Sequence, residues 1–114
     1  MAYVDGFVIP VKTAKREAYK KMALELLEVY KEHGAISITE CWGDDVPDGK
    51  VTSFPLAVKC EEDETVVFSW VLWESKEART AGLEKVMADP RMQPEGEMPF
   101  DGKRLIYGGF ETLY

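Results

Sequence analysis

Few side chains in this sequence can do chemistry, and their types and spacing decide what that chemistry would be. His33 is the single histidine, the residue best placed for acid–base work near neutral pH. It precedes Gly34 at the predicted end of a long helix, where a ring proton favours the negative end of the helix dipole, so capping is the plainer reading. A nucleophilic pair of Cys41 with His33 needs the two in contact. They are separated by a helix end and most of a strand, a spacing that neither joins them nor keeps them apart. Cys41 and Cys60 lie in no CxxC pattern or Cys/His cluster, so zinc finds no ligand set and reduced, partly buried thiols are expected.

The stretch ECWGDDVPDGK at 40–50 offers Asp44, Asp45 and Asp48 to a hard cation. Counted from Asp44, the ligand positions of a calcium loop fall on Asp44, Val46, Asp48 and Pro55, and two of those four lack the oxygen donor. Proline, aspartate and glycine are also what a tight turn requires, and a turn is expected over Val46-Pro47-Asp48-Gly49. No metal and no cofactor is expected. Gly6, Gly108 and Gly109 interrupt strands rather than joining a strand to a helix, so they form no phosphate cradle.

Asp5 and Glu40 are harder to assign to solubility alone. Asp5 shares a strand face with Tyr3 and Phe7, and Glu40 with Ile38 and Trp42. On a face lining a partly apolar space, burial would raise their pKa values, and Trp42, Trp70 or Trp73 and Tyr107 would be its walls. Asp5 and Glu40 are therefore the catalytic candidates, with Trp42, Trp70 and Tyr107 as ligand-binding candidates. The plainer alternative pairs both carboxylates with Arg104, Lys59 or backbone donors.

The elements that must position these residues follow from periodicity. Tyr3 to Ile9 alternates and is stopped by Pro10, giving a first strand. Thr13 is a candidate cap for a helix whose apolar stripe is Tyr19, Met22, Ala23, Leu26, Val29 and Tyr30, closed by Gly34. Ala35 to Trp42 is a second strand, and Ser53 starts a short helix reaching Val58. Thr65 to Trp73 is a third strand with apolar side chains on both faces, so each face needs a cover. Ser75 caps a second long helix through Ala88, in which Gly82 permits close approach to a sheet. Asp89 to Lys103 is a long loop, and Arg104 to Leu113 a final strand.

This order, β-α-β-β-α-β, specifies an α+β ferredoxin-like domain over residues 1–114, with two helices on one face of a four-stranded antiparallel sheet. Nothing remains to cover the other face, so a homodimer packed sheet to sheet is expected. With 14 basic and 21 acidic residues the chain carries a net charge of −7, which disfavours nucleic acid and anionic membrane surfaces. No membrane span or signal segment is evident, and a cytoplasmic location is the default.

The strings YVDGFVIPV, HGA, ECWGDDVPDGK, ETVVFSW, KVMADPRM and MPFDGKRLIYGGFE together resemble the YbaA-like bacterial family of unknown function, over nearly the whole chain. The resemblance implies a dimeric α/β barrel of ferredoxin-like type and brings no established activity. Two functions are consistent with these observations: a small-molecule site between the two sheets of a dimer, or a non-catalytic, stress-related or interaction homodimer without a ligand.

Overall fold

The computed structural model describes residues 1–92 and 98–114. Part of the predicted long loop, residues 93–97, lies outside the described residues. The elements are β1 (Tyr3–Lys12), α1 (Arg16–Glu32), β2 (Ser37–Trp42), α2 (Phe54–Ala57), β3 (Glu64–Trp73), α3 (Lys76–Ala88) and β4 (Ile106–Glu111). They form a four-stranded sheet in the order β2-β3-β1-β4, with every neighbouring pair antiparallel. This is the expected α+β, ferredoxin-like arrangement.

Two helix starts follow the predicted capping chemistry. Ser53 Oγ accepts from the Leu56 amide and Ser75 Oγ from the Ala78 amide, each at 3.1 Å. Gly34 takes φ +107°, the left-handed stop expected after α1. Thr13 does not cap α1. It sits in a 3-10 turn over Thr13–Lys15, and its hydroxyl is spent on the Thr65 hydroxyl at 2.7 Å, so α1 opens at Arg16 without a side-chain cap. Nor does Pro10 stop β1, which continues to Lys12. β4 pairs with β1 only as far as Val8 and Phe100 bridges Val11 beyond it, so Pro10 falls in the gap between these pairings, where a missing N–H is tolerated.

The register assigns the two faces. Asp5, Val71 and Ile38 are cross-strand partners, as are Ser69 and Glu40, and all of these side chains point toward the helices together with Ile9, Val11, Val67 and Trp73. Two apolar clusters fill that layer. One joins Val29, Tyr30 and Ala35 to Val71, Trp73 and Val86, and the other joins Tyr19 and Ala23 to Ile9, Val11 and Val67. Gly82 lets α3 settle onto the sheet, because a β-carbon there would collide with the Trp73 ring and the His33 carbonyl.

The opposite, open face carries Val4, Val8, Phe68, Trp70, Leu72, Ile106 and Phe110. Among the described elements α2 lies against it, the Phe54 ring meeting Phe68 edge-on at 5.8 Å. Phe68, Ile106 and Phe110 remain 43%, 44% and 61% exposed. Phe110 itself shields the glycine-lined strip made by Gly6 and Gly108.

Candidate functional site

The helix side of the sheet, not the open side, holds both carboxylate candidates. Parity alone leaves that choice unmade, and the expectation that Asp5 and Glu40 line a space between two sheets is corrected by the register. Their partners also differ from Arg104 and Lys59. Arg104 pairs with Glu64 and Asp101 instead, and Lys59 occupies a left-handed turn with φ 49°.

Asp5 is 4% exposed and fully engaged. Its Oδ2 accepts from Trp73 Nε1 at 2.9 Å, and Arg79 donates through Nη2 and Nε at 2.9 and 3.1 Å to Oδ1. The Arg79 guanidinium lies over the Tyr3 ring, 5.2 Å from its centroid, which completes the enclosure. Such a carboxylate ties α3 to the sheet and has no free lone pair aimed at a cavity.

Glu40 stands in a different setting. Tyr19, buried on α1, donates its hydroxyl to Glu40 Oε1 at 2.6 Å. The carboxylate remains exposed toward a cleft between α1 and the edge strand β2, while protein crowds it from the other side. That crowding pushes its pKa above the ordinary 4.5, partly offset by the hydroxyls of Tyr19 and Ser69. Burial and the neighbouring Glu40 charge raise the Tyr19 phenol, so it stays a neutral donor. The cleft has a volume of about 420 Å³, within the range of small-molecule pockets, and its apolar walls include Leu24, Leu27, Ile38 and Trp42. Arg16 and Lys20 stand on the same wall, with Arg16 over the Trp42 ring at 5.4 Å.

The three aromatic candidates do not converge. Trp42 lines the cleft, Trp70 lies on the open face, and Tyr107 is 74% exposed on β4, stacked at 6.2 Å on Phe7. β2 and β4 are opposite edges of the sheet, three strand spacings or about 14 Å apart. His33 closes α1 and its Nε2 lies 3.0 Å from Asp89 Oδ2, joining the ends of α1 and α3 outside the cleft. Asp89 is also gripped by Arg91, and these donors hold its carboxyl well below the ordinary range. Asp44, Asp45 and Asp48 are exposed in the irregular segment after β2, which bends at 44–45 and forms no hydrogen-bonded turn at 46–49. Among the described residues no group of three His, Cys, Asp or Glu side chains converges as a metal site would.

A family model described as a protein of unknown function, DUF1428, matches residues 2–102. The chain belongs to that family. The uncharacterized protein YbaA of Escherichia coli strain K12 and that of Shigella flexneri are each 59% identical over 114 residues, covering 99% of this chain and 97% of theirs. Among solved structures, a Nitrosomonas europaea protein proposed to be an antibiotic biosynthesis monooxygenase aligns with a TM-score of 0.53 over 99% of this chain and 91% of its own, at 16% identity. That likeness is one of fold, and its reaction stays with that protein. Among the described residues no helix is long and apolar enough to cross a membrane.

Several contributors to the cleft carry no strong signal of their own in the sequence. Tyr19 falls within the apolar stripe, and Arg16, Lys20, Leu24 and Leu27 fall outside it. The signal is in their spacing: 16, 20, 24 and 27 recur at helical spacing, a basic pair followed by two leucines lying beside the buried stripe rather than within it.

The raised Glu40 pKa has a measurable consequence. A carboxyl that binds its proton more tightly folded than unfolded adds stability below pH 4.5, and loses that contribution as pH rises through its elevated folded value. The stability of the wild type minus that of Glu40→Gln should therefore fall as pH rises above 4.5 and flatten once Glu40 is ionised. Urea unfolding at fixed protein concentration between pH 4 and 8 checks this. A difference that rises with pH would show that Glu40 is not held in a desolvated site.

Proposed function

We propose that this protein binds a small, largely apolar molecule in the cleft between α1 and β2, and acts as a homodimer whose open sheet faces meet. The observation that carries the ligand reading is the Glu40–Tyr19 pair standing at an apolar cavity of about 420 Å³. A carboxylate crowded by protein but open to a cavity accepts a hydrogen bond or a proton from a ligand, and its raised pKa suits a general base closer to neutrality. Tyr19 supplies a neutral hydroxyl that orients it. This moves the expected ligand from between the sheets to the helix side.

The dimer reading is supported by the exposed apolar row on the open face, since soluble monomers rarely leave so continuous a patch in water. A second functional reading, a homodimer without ligand, is favoured by the aromatic run Phe54, Phe68 and Trp70, with ring centroids 5.8 and 5.4 Å apart, which fills that face with solid surface.

A thermal-shift screen of fractionated bacterial metabolite extract separates the two. If the cleft is a ligand site, at least one fraction raises the melting temperature of the wild type and has little effect on Glu40→Gln or on Leu24→Trp, which narrows the cleft. Stabilisation that survives in both variants places the ligand elsewhere. No stabilising fraction at all favours the ligand-free dimer.

A further inference from the structure

The lining of the cleft also specifies the class of ligand, an inference that rests on the reading of the cleft as a binding site. Along β2, Ile38, Glu40 and Trp42 face α1 in turn, each about 7 Å from the next. α1 runs the other way, so Leu27 and Leu24 lie toward the Ile38 end, Tyr19 meets Glu40, and Arg16 covers Trp42. The cleft therefore has an apolar end, a hydrogen-bonding middle and a cationic end at Arg16, with Lys20, the residue after Tyr19, adding a second cation to the same cleft.

Arg16 is conspicuous among the arginines for what it does not do. The chain has 21 acidic residues, and its other arginines are all in carboxylate pairs: Arg79 with Asp5, Arg91 with Glu32 and Asp89, and Arg104 with Glu64 and Asp101. Among the described residues, no ion pair uses Arg16 or Lys20. Two cations in the opening turns of α1 also oppose its dipole, so they do nothing for the helix itself. Stacking on Trp42 holds the Arg16 guanidinium at the cleft while leaving its edge donors free for a planar anion.

We propose that the cleft takes an amphipathic monoanion, an aromatic or aliphatic carboxylic acid whose carboxylate meets Arg16 and Lys20 and whose apolar body reaches past Glu40 toward Leu27 and Ile38. Electrostatics orients such a ligand. Its anionic end is kept from Glu40 and drawn to the cationic end, which leaves a mid-chain hydroxyl or other donor facing Glu40.

Two fluorescent probes with the same aromatic body test this: anilinonaphthalene sulfonate, which carries one anion, and neutral phenylnaphthylamine. Both should bind the wild-type protein, the sulfonate more tightly at low salt, and Leu24→Trp should weaken both. The double variant Arg16→Gln, Lys20→Gln should lose about tenfold in sulfonate affinity, the size of one charge-assisted contact, and leave phenylnaphthylamine unchanged, while Arg16→Lys retains the preference. Equal loss of both probes, or no loss of either, in the double variant would overturn the anion assignment while the cleft itself still binds. If neither probe binds, or Leu24→Trp leaves both unaffected, the cleft reading fails and the ligand class with it.

Discussion

Replacing Trp70 by lysine should convert the proposed dimer into a folded monomer of 12.9 kDa. Trp70 lies in β3 with Gly6 of β1 on one side and Thr39 of β2 on the other, so it stands inside the sheet and points to the open face. Its ring is 5.4 Å from that of Phe68, and beyond them are the exposed Ile106 and Phe110. Large aromatic residues near the centre of an interface commonly cost about 2 kcal/mol or more when truncated. A lysine adds the desolvation of an ammonium facing its own symmetry mate, so a loss of about 3 kcal/mol or more is expected, a weakening of roughly 150-fold. Because Trp70 belongs to neither buried cluster, the monomer keeps its helix-side core. Sedimentation at micromolar concentration, with circular dichroism to confirm folding, reads both quantities. A wild type that sediments at 12.9 kDa would remove the dimer from this account, and a Trp70→Lys variant that stays dimeric would place the interface on another surface.

The fold was readable because its signals are local. Alternation marked the strands, Ser53 and Ser75 capped the helices they precede, and Gly34 and Gly82 stand where a left-handed stop and a close helix–sheet contact require glycine. The sites were less readable because a two-residue period shows which side chains share a face and not which face the helices cover. β3 sharpens the ambiguity. Val66, Phe68, Trp70 and Leu72 are at least as apolar as Val67, Ser69, Val71 and Trp73, yet the set containing Ser69 is the one under the helices. Ser69 is tolerated there as the cross-strand partner of Glu40, whose pKa its hydroxyl lowers. The partners of Asp5 were equally hidden. Trp73 and Arg79 come from 68 and 74 residues away, and Arg79 reads as one more solvated charge until α3 docks. Thr13 and Pro10 show the reverse case, where a correct local propensity is overridden by a cross-strand hydroxyl pair and by the end of β4.

Arg79→Ala should be among the most destabilising single changes to a residue that is not itself fully buried. The substitution removes three donor contacts from Asp5 and leaves a 4% exposed carboxylate with Trp73 Nε1 as its remaining side-chain donor. Breaking a buried ion pair by deleting one partner costs roughly 3–5 kcal/mol, mostly the desolvation of the charge left behind. The lower end applies here, because the Arg79 side chain is 22% exposed and Trp73 still donates. Against a domain stability of about 5–15 kcal/mol that is a large fraction. Asp5→Asn in the Arg79→Ala background removes the stranded charge and should restore part of the loss at neutral pH, giving a double variant more stable than Arg79→Ala alone. Urea unfolding of the two single variants, the double variant and the wild type at pH 7 completes the cycle. If Arg79→Ala stays within about 0.5 kcal/mol of the wild type, as an ordinary surface substitution does, Asp5 is solvated after all and its assignment as the tie between α3 and the sheet is wrong.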